Sequence, residues 1–225
     1  MKRLWVVVAI LLVATACRDD QVVLARGPLG PASYEVEVTA ESDTTDIREH
    51  RSATLQITPR ANHADFTLRT RSGESLTAEL RRMADGSVDL ERVRGEPVDR
   101  SGEAELASLV GQLAPPLPLD PVRIGKRWAS IQRIRTNTLE ATLRTELGIA
   151  HFRRIASTDA AQLEGTVSGE LSTTSAAGVL SGRLRGRTSI AWAVRSGRVV
   201  AADTRLVWTL STGDRITLET RVRPR

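Results

Sequence analysis

The chain predicts a mainly β fold: a curved antiparallel sheet, a half-barrel-like meander, with one covering α-helix. Three observations carry that expectation. From Tyr34 onward apolar residues recur with a period of two, the signature of strands with one buried face. Glycine-centred turn signals such as Arg71-Ser72-Gly73-Glu74, Arg195-Ser196-Gly197-Arg198 and Ser211-Thr212-Gly213-Asp214 fall between the alternating runs, too close together for crossover connections. Only one stretch, around Leu106, Leu109, Val110 and Leu113, spaces its apolar residues as a helix does.

Residues 1–16 read as a signal peptide. Lys2 and Arg3 form a basic start, and Leu4 to Val13 an apolar run too short for the ~20 residues that span a bilayer. Ala14-Thr15-Ala16-Cys17 follows and resembles a bacterial lipobox, which implies an acylated Cys17 as the mature N-terminus. Ala14-x-Ala16 also satisfies the ordinary small-residue cleavage rule and would free the same Cys17. Cys17 is the only cysteine, so no intramolecular disulfide can form. Residues 17–33, with Gly27-Pro28 and Gly30-Pro31, are expected to be the lipidated cysteine and a flexible tether.

Residues 34–225 then read as a single β-rich domain of two strand blocks, 34–100 and 127–225. In the first, Val36, Val38 and Ala40 alternate with glutamate and threonine, as do Ala53, Leu55 and Ile57, then Phe66 and Leu68, then Leu76, Ala78 and Leu80. The blocks are joined by a helix over 102–113, with Ser101 as its cap and Glu103 and Glu105 near its positive end, and by a proline-rich connector over 115–126. Prolines 115, 116, 118 and 121 forbid a helix there, Gly125 permits a bend, and Trp128 is a large anchor for the strand that follows. The run Leu117-Pro118-x-x-Pro121-Val122-x-x-Gly125-x-x-Trp128 resembles a joint found in uncharacterised families of secreted bacterial lipoproteins.

The second block alternates more strongly. Leu163, Gly165, Val167, Gly169 and Leu171 share one face, as do Leu180, Gly182, Leu184, Gly186, Ile190 and Trp192, opposite Arg183, Arg185 and Arg187. A hairpin turning at Ser175-Ala176 would set Gly165 against Gly186 and Gly169 against Gly182, and the next, with a bulge, would lay Trp208 beside Gly186. Paired glycines on an apolar face suggest built-in curvature.

About ten one-sided strands offer more apolar surface than one short helix can cover. Aromatic residues make up only 3% of the chain, and many inward positions are Gly or Ala, so the interior is thinly filled. Such a half-barrel around a helix resembles, in fold only, the lipid-carrying envelope lipoproteins. The reading is a lipoprotein held to a membrane by Cys17, in the bacterial cell envelope, binding an apolar ligand such as a lipid or acyl chain. The expected groove lining is Gly165, Gly169, Gly182, Gly186, Trp192 and Trp208. The alternative is a structural or protein-interaction module of the envelope, with the Arg183, Arg185 and Arg187 row as its contact surface.

No catalytic residue, cofactor or metal is expected. His50, His63 and His151 are scattered without ligand spacing, and neither a nucleophile elbow nor a phosphate loop occurs. The acidic group Glu41, Asp43 and Asp46 reads as a solvated loop. Residues 17–119 carry 12 Arg against 18 acidic residues, whereas 120–225 carry 18 basic against 9 acidic. That asymmetry suits two halves that attract each other or a basic half facing anionic headgroups. Nucleic acid is not expected as a partner, since no binding motif accompanies the charge.

Overall fold

The computed structural model describes residues 21–24, 31–44, 48–60, 63–82, 88–95, 109–135, 139–175 and 178–225. Cys17, Asp46, Leu106 and most of the expected helix lie outside the described residues.

Among the described residues thirteen strands form in chain order: β1 (Gln21–Val22), β2 (Ala32–Ser42), β3 (Arg48–Pro59), β4 (His63–Thr70), β5 (Ser75–Arg82), β6 (Val88–Gly95), β7 (Val122–Arg123), β8 (Arg127–Arg135), β9 (Leu139–Ile155), β10 (Thr158–Ser175), β11 (Gly178–Ala193), β12 (Arg198–Leu210) and β13 (Arg215–Pro224). Eleven of them make one antiparallel sheet in the order β6-β5-β4-β3-β2-β13-β12-β11-β10-β9-β8. Each block is a meander, and the blocks meet where the first strand of one pairs with the last strand of the other. That seam sets Glu37 opposite Arg221 and Glu35 opposite Arg223, so the acidic and basic halves abut at complementary residues. The sheet curls far enough that Cα atoms of its two edge strands, β6 and β8, come within 8 Å of one another.

The inner face follows the period of two. Val36, Leu55, Phe66, Ala78, Leu80, Leu163, Ile190, Ala202 and Val222 are buried in one main core, together with Leu109, Val110 and Leu113 from the helix, α1, described over 109–113. The expected apolar stripe of α1 therefore faces the sheet. Trp128 donates from its indole N–H to the Pro116 carbonyl at 2.7 Å, which ties the proline connector to the start of β8. The turns at Gly73 and Gly213 share one geometry. In each the glycine has a left-handed φ, +97° and +96°, and its N–H bonds to the carbonyl three residues back. The recurring sequence around them thus matches a recurring hairpin.

Two expectations are corrected. Gln21 and Val22 are not free tether: β1 pairs with β7 through Gln21–Arg123 and Val22–Val122, and Leu24 is buried in the main core. The hairpin register of β10 and β11 is also shifted by two residues. Gly165 faces Thr188, Val167 faces Gly186, Gly169 faces Leu184 and Leu171 faces Gly182. The ladder closes at Ser175–Gly178, so the turn falls one residue beyond the expected Ser175-Ala176. A shift of two keeps every side chain on its face, so alternation alone cannot distinguish the registers. Each glycine now meets a larger residue across the strand, which fills the inner face better than facing pairs of glycines would.

Candidate functional site

The four glycines mark where strands pinch together. A side chain at Gly165 or Gly169 would run into the β9 backbone at Glu146 or Thr142, and one at Gly182 or Gly186 into the β12 backbone at Thr209 or Arg205. The two β10 glycines thus crowd β9, and the two β11 glycines crowd β12. Strands this close can coil tightly, and the coiling makes the sheet concave.

Trp208 pairs with Leu184 and not with Gly186. The ladder closes at Ala193–Arg198, its bulge lies within the strands between Ala191 and Trp192, and the register beyond it differs by two from the expected one. The consequence is that the indole covers Gly182, where an added Cβ would lie 2.7 Å from Trp208 Nε1. That nitrogen is buried and has no hydrogen-bond partner among the described residues. Of the expected lining only Trp208 reaches the hollow described next: Trp192 is buried in the main core, and Gly165, Gly169, Gly182 and Gly186 do not line it.

The inner face carries a second, smaller apolar cluster of Ile134, Ala141, Leu171, Leu184 and Leu206. Between it and the main core runs a row of buried threonines, Thr188, Thr204 and Thr220, neighbours across β11, β12 and β13, while Leu90 and Leu218 pack against both clusters. Thr188 and Thr204 satisfy each other through a hydroxyl–hydroxyl bond of 2.8 Å. Beside this row a hollow of about 80 Å³ opens between the sheet and α1. Its walls are Ile134, Leu143, Val167, Leu171, Leu184, Leu206, Trp208, Ile216 and Leu218, and Gly111 and Gln112 of α1 form its cover. None of its lining residues is ionisable.

Sequence reading missed the threonine row, because only apolar and glycine positions were taken as inward. The signal was available: Thr188, Thr204 and Thr220 share the alternation frame of Ile190, Ala202 and Val222. Gln112 and Gln132 at the hollow had no comparable signal, since helix 109–113 had not been placed over a particular strand.

The chemistry of this site is apolar. An ~80 Å³ space holds the tip of a hydrocarbon chain; a dry cavity of about 150 Å³ is needed for a benzene. A longer chain requires α1 to lift, and α1 is attached through the proline connector on one side. Elsewhere His63 Nε2 lies 3.6 Å from Asp65, but that carboxylate also binds Arg60 at 3.0 Å on the polar face of β4. Asp43 accepts from the Arg215 backbone N–H at 2.8 Å and Glu41 pairs with Arg48 at 3.0 Å, so both are engaged within their own loop and seam. Among the described residues no group of three or more His, Cys, Asp or Glu is arranged to hold a metal ion.

Fold and site together define a lidded, concave antiparallel sheet with an apolar hollow. No protein-family model matches the chain, and no curated protein matches it. Solved structures similar to it include the following two. One is a Vibrio parahaemolyticus domain provisionally described as an outer membrane lipoprotein-sorting protein, with 9% identity, 86% of each chain covered and a TM-score of 0.28. The other is the hypothetical lipoprotein YmcC from Escherichia coli, with 12% identity, 86% of this chain and 85% of that one covered, and a TM-score of 0.29. Likeness at that level carries no argument about ligand or partner, which must come from this chain's own geometry.

Proposed function

We propose that the chain is an envelope lipoprotein, anchored through Cys17, that holds an acyl chain or similar apolar molecule between its concave sheet and α1. One observation carries the reading. A second apolar cluster, beside a row of buried threonines, is left with a hollow that no ionisable group enters. The Trp208 N–H supports it further. A buried donor without a partner costs about 1–3 kcal/mol, and an ester or carboxyl oxygen on the ligand would relieve that cost. The role is non-enzymatic: binding and release, with α1 as the moving part.

The test is binding of a fluorescent fatty acid, with native mass spectrometry of the gently purified protein. Ala141→Leu adds three carbons to the hollow's wall and is expected to weaken binding at least tenfold while leaving the fold intact. Absence of any bound apolar species, or unchanged affinity in the folded variant, would count against the reading. A second reading, a protein-contact module, has its own observation. A broad groove of about 920 Å³ crosses the outer face, lined by Arg183, Arg185 and Arg215 with Glu140 and Glu170. Reversing the charges of Arg183, Arg185 and Arg187 would abolish capture of an envelope partner on that reading, and leave fatty-acid binding unchanged on the first.

A further inference from the structure

We propose that the end of the domain carrying the β1–β7 ribbon lies directly on the bilayer that holds the acyl chains of Cys17. The inference rests on the lipid-anchored part of the reading above and not on the apolar ligand.

The first argument is covalent. Four residue steps separate Cys17 from Gln21, a reach of at most about 14 Å. Gln21 and Val22 are fixed to β7 by strand pairing, and the next residues are held by Leu24, which is 3% exposed. The anchor therefore attaches to one fixed pole of the domain, whereas a free tether over 17–33 would have allowed roughly 50 Å. A domain so tied cannot turn its opposite pole to the membrane.

The second argument is what that pole presents. Val22, Leu24 and Val122 turn inward and join the core. Three apolar residues flanking the ribbon in sequence are exposed: Val23 at 59%, Leu119 at 72% and Ile124 at 49%. Exposed apolar side chains at the ends of a two-stranded ribbon gain nothing in water. They gain burial when set against the headgroup and acyl boundary. Exposed Arg123, Lys126 and Arg127 beside them suit anionic headgroups. The occupant of this pole is thus the membrane that already carries the anchor.

The geometry also orients the rest. Ile124 bridges to Ile149, which pairs with Leu163 of β10. From Leu163 the strand runs twelve residues to its tip, roughly 40 Å at about 3.3 Å per residue. Leu171, at the hollow, is eight residues along, so the hollow lies at most roughly 25 Å from Leu163.

The experiment uses the processed lipoprotein reconstituted into phosphatidylethanolamine–phosphatidylglycerol vesicles. Acylation occupies the Cys17 thiol, so Val23→Cys, Leu119→Cys and Val179→Cys each introduce a single free thiol for an environment-sensitive dye. All three positions are exposed, which leaves the fold undisturbed. With doxyl-labelled lipids, quenching at positions 23 and 119 is expected to exceed that at 179 at least threefold. Equal weak quenching at all three, with acylation of Cys17 confirmed by intact mass, overturns the docking and leaves the anchor standing. Stronger quenching at 179 overturns the orientation. An unacylated Cys17 overturns both the docking and the anchored reading, while fatty-acid binding reports separately on the hollow.

Discussion

Replacing Gly186 by alanine tests whether the glycines pinch the sheet. Gly186 pairs with Leu206 of β12, and an added Cβ would sit 2.8 Å from Leu206 Cα and 2.7 Å from its Cδ2, and closer still to the Arg205 carbonyl oxygen. The Leu206 methyl can rotate away; the two backbone atoms can move only if β11 and β12 part. Overpacking of this kind costs about 1–3 kcal/mol. Alanine also narrows the unfolded ensemble, a gain of about 0.4–1 kcal/mol wherever the native site accepts it. The expected net loss is about 1–2 kcal/mol, which for a domain of this size lowers Tm by roughly 2–8 °C. Urea and thermal denaturation read it directly. Gly213→Ala is the control for backbone strain, because Gly213 has a φ of +96° but open space around its Cα. Without a pinch, Gly186→Ala gains from the unfolded state alone. A variant as stable as the parent, or more so, therefore refutes the account of the curvature.

Two further outcomes follow from the buried polar groups. Thr188→Val leaves the Thr204 hydroxyl without its partner and is expected to cost about 1–2 kcal/mol, while the double Thr188→Val/Thr204→Val variant costs less than the sum of the singles. Urea melts of the four-member cycle give the coupling; strict additivity would show that the two hydroxyls act independently. Burial pushes the Tyr34 hydroxyl above its ordinary value, partly offset by the charge of Arg198, and this hydroxyl donates to the Val199 carbonyl at 3.2 Å. A raised folded pKa means its contribution is complete below about 10 and is lost as pH climbs through the folded value. Stability should thus fall more steeply above pH 10 in the parent than in Tyr34→Phe, which loses about 1 kcal/mol near neutrality. Parallel curves for the two proteins would contradict this.

The amino-acid sequence by itself determined the class of fold and the face of each side chain. Period-two alternation is a local property of a strand, so Leu55, Phe66, Ile190 and Val222 could be assigned inward without knowing any neighbour. The helical stripe of Leu109, Val110 and Leu113 was legible for the same reason. Register was not, because a slip of two residues preserves every facing, and so Trp208 came to cover Gly182 instead of Gly186. Nor could local pattern show that β2 pairs with β13, that β1 folds back onto β7, or that three threonines sixteen residues apart would line up across three strands. Those are contacts between distant segments, and only the closed sheet supplies them. The hollow depends on all of them at once: on strands pinched at glycine, on a row of hydroxyls running between two apolar clusters, and on where a short helix comes to rest.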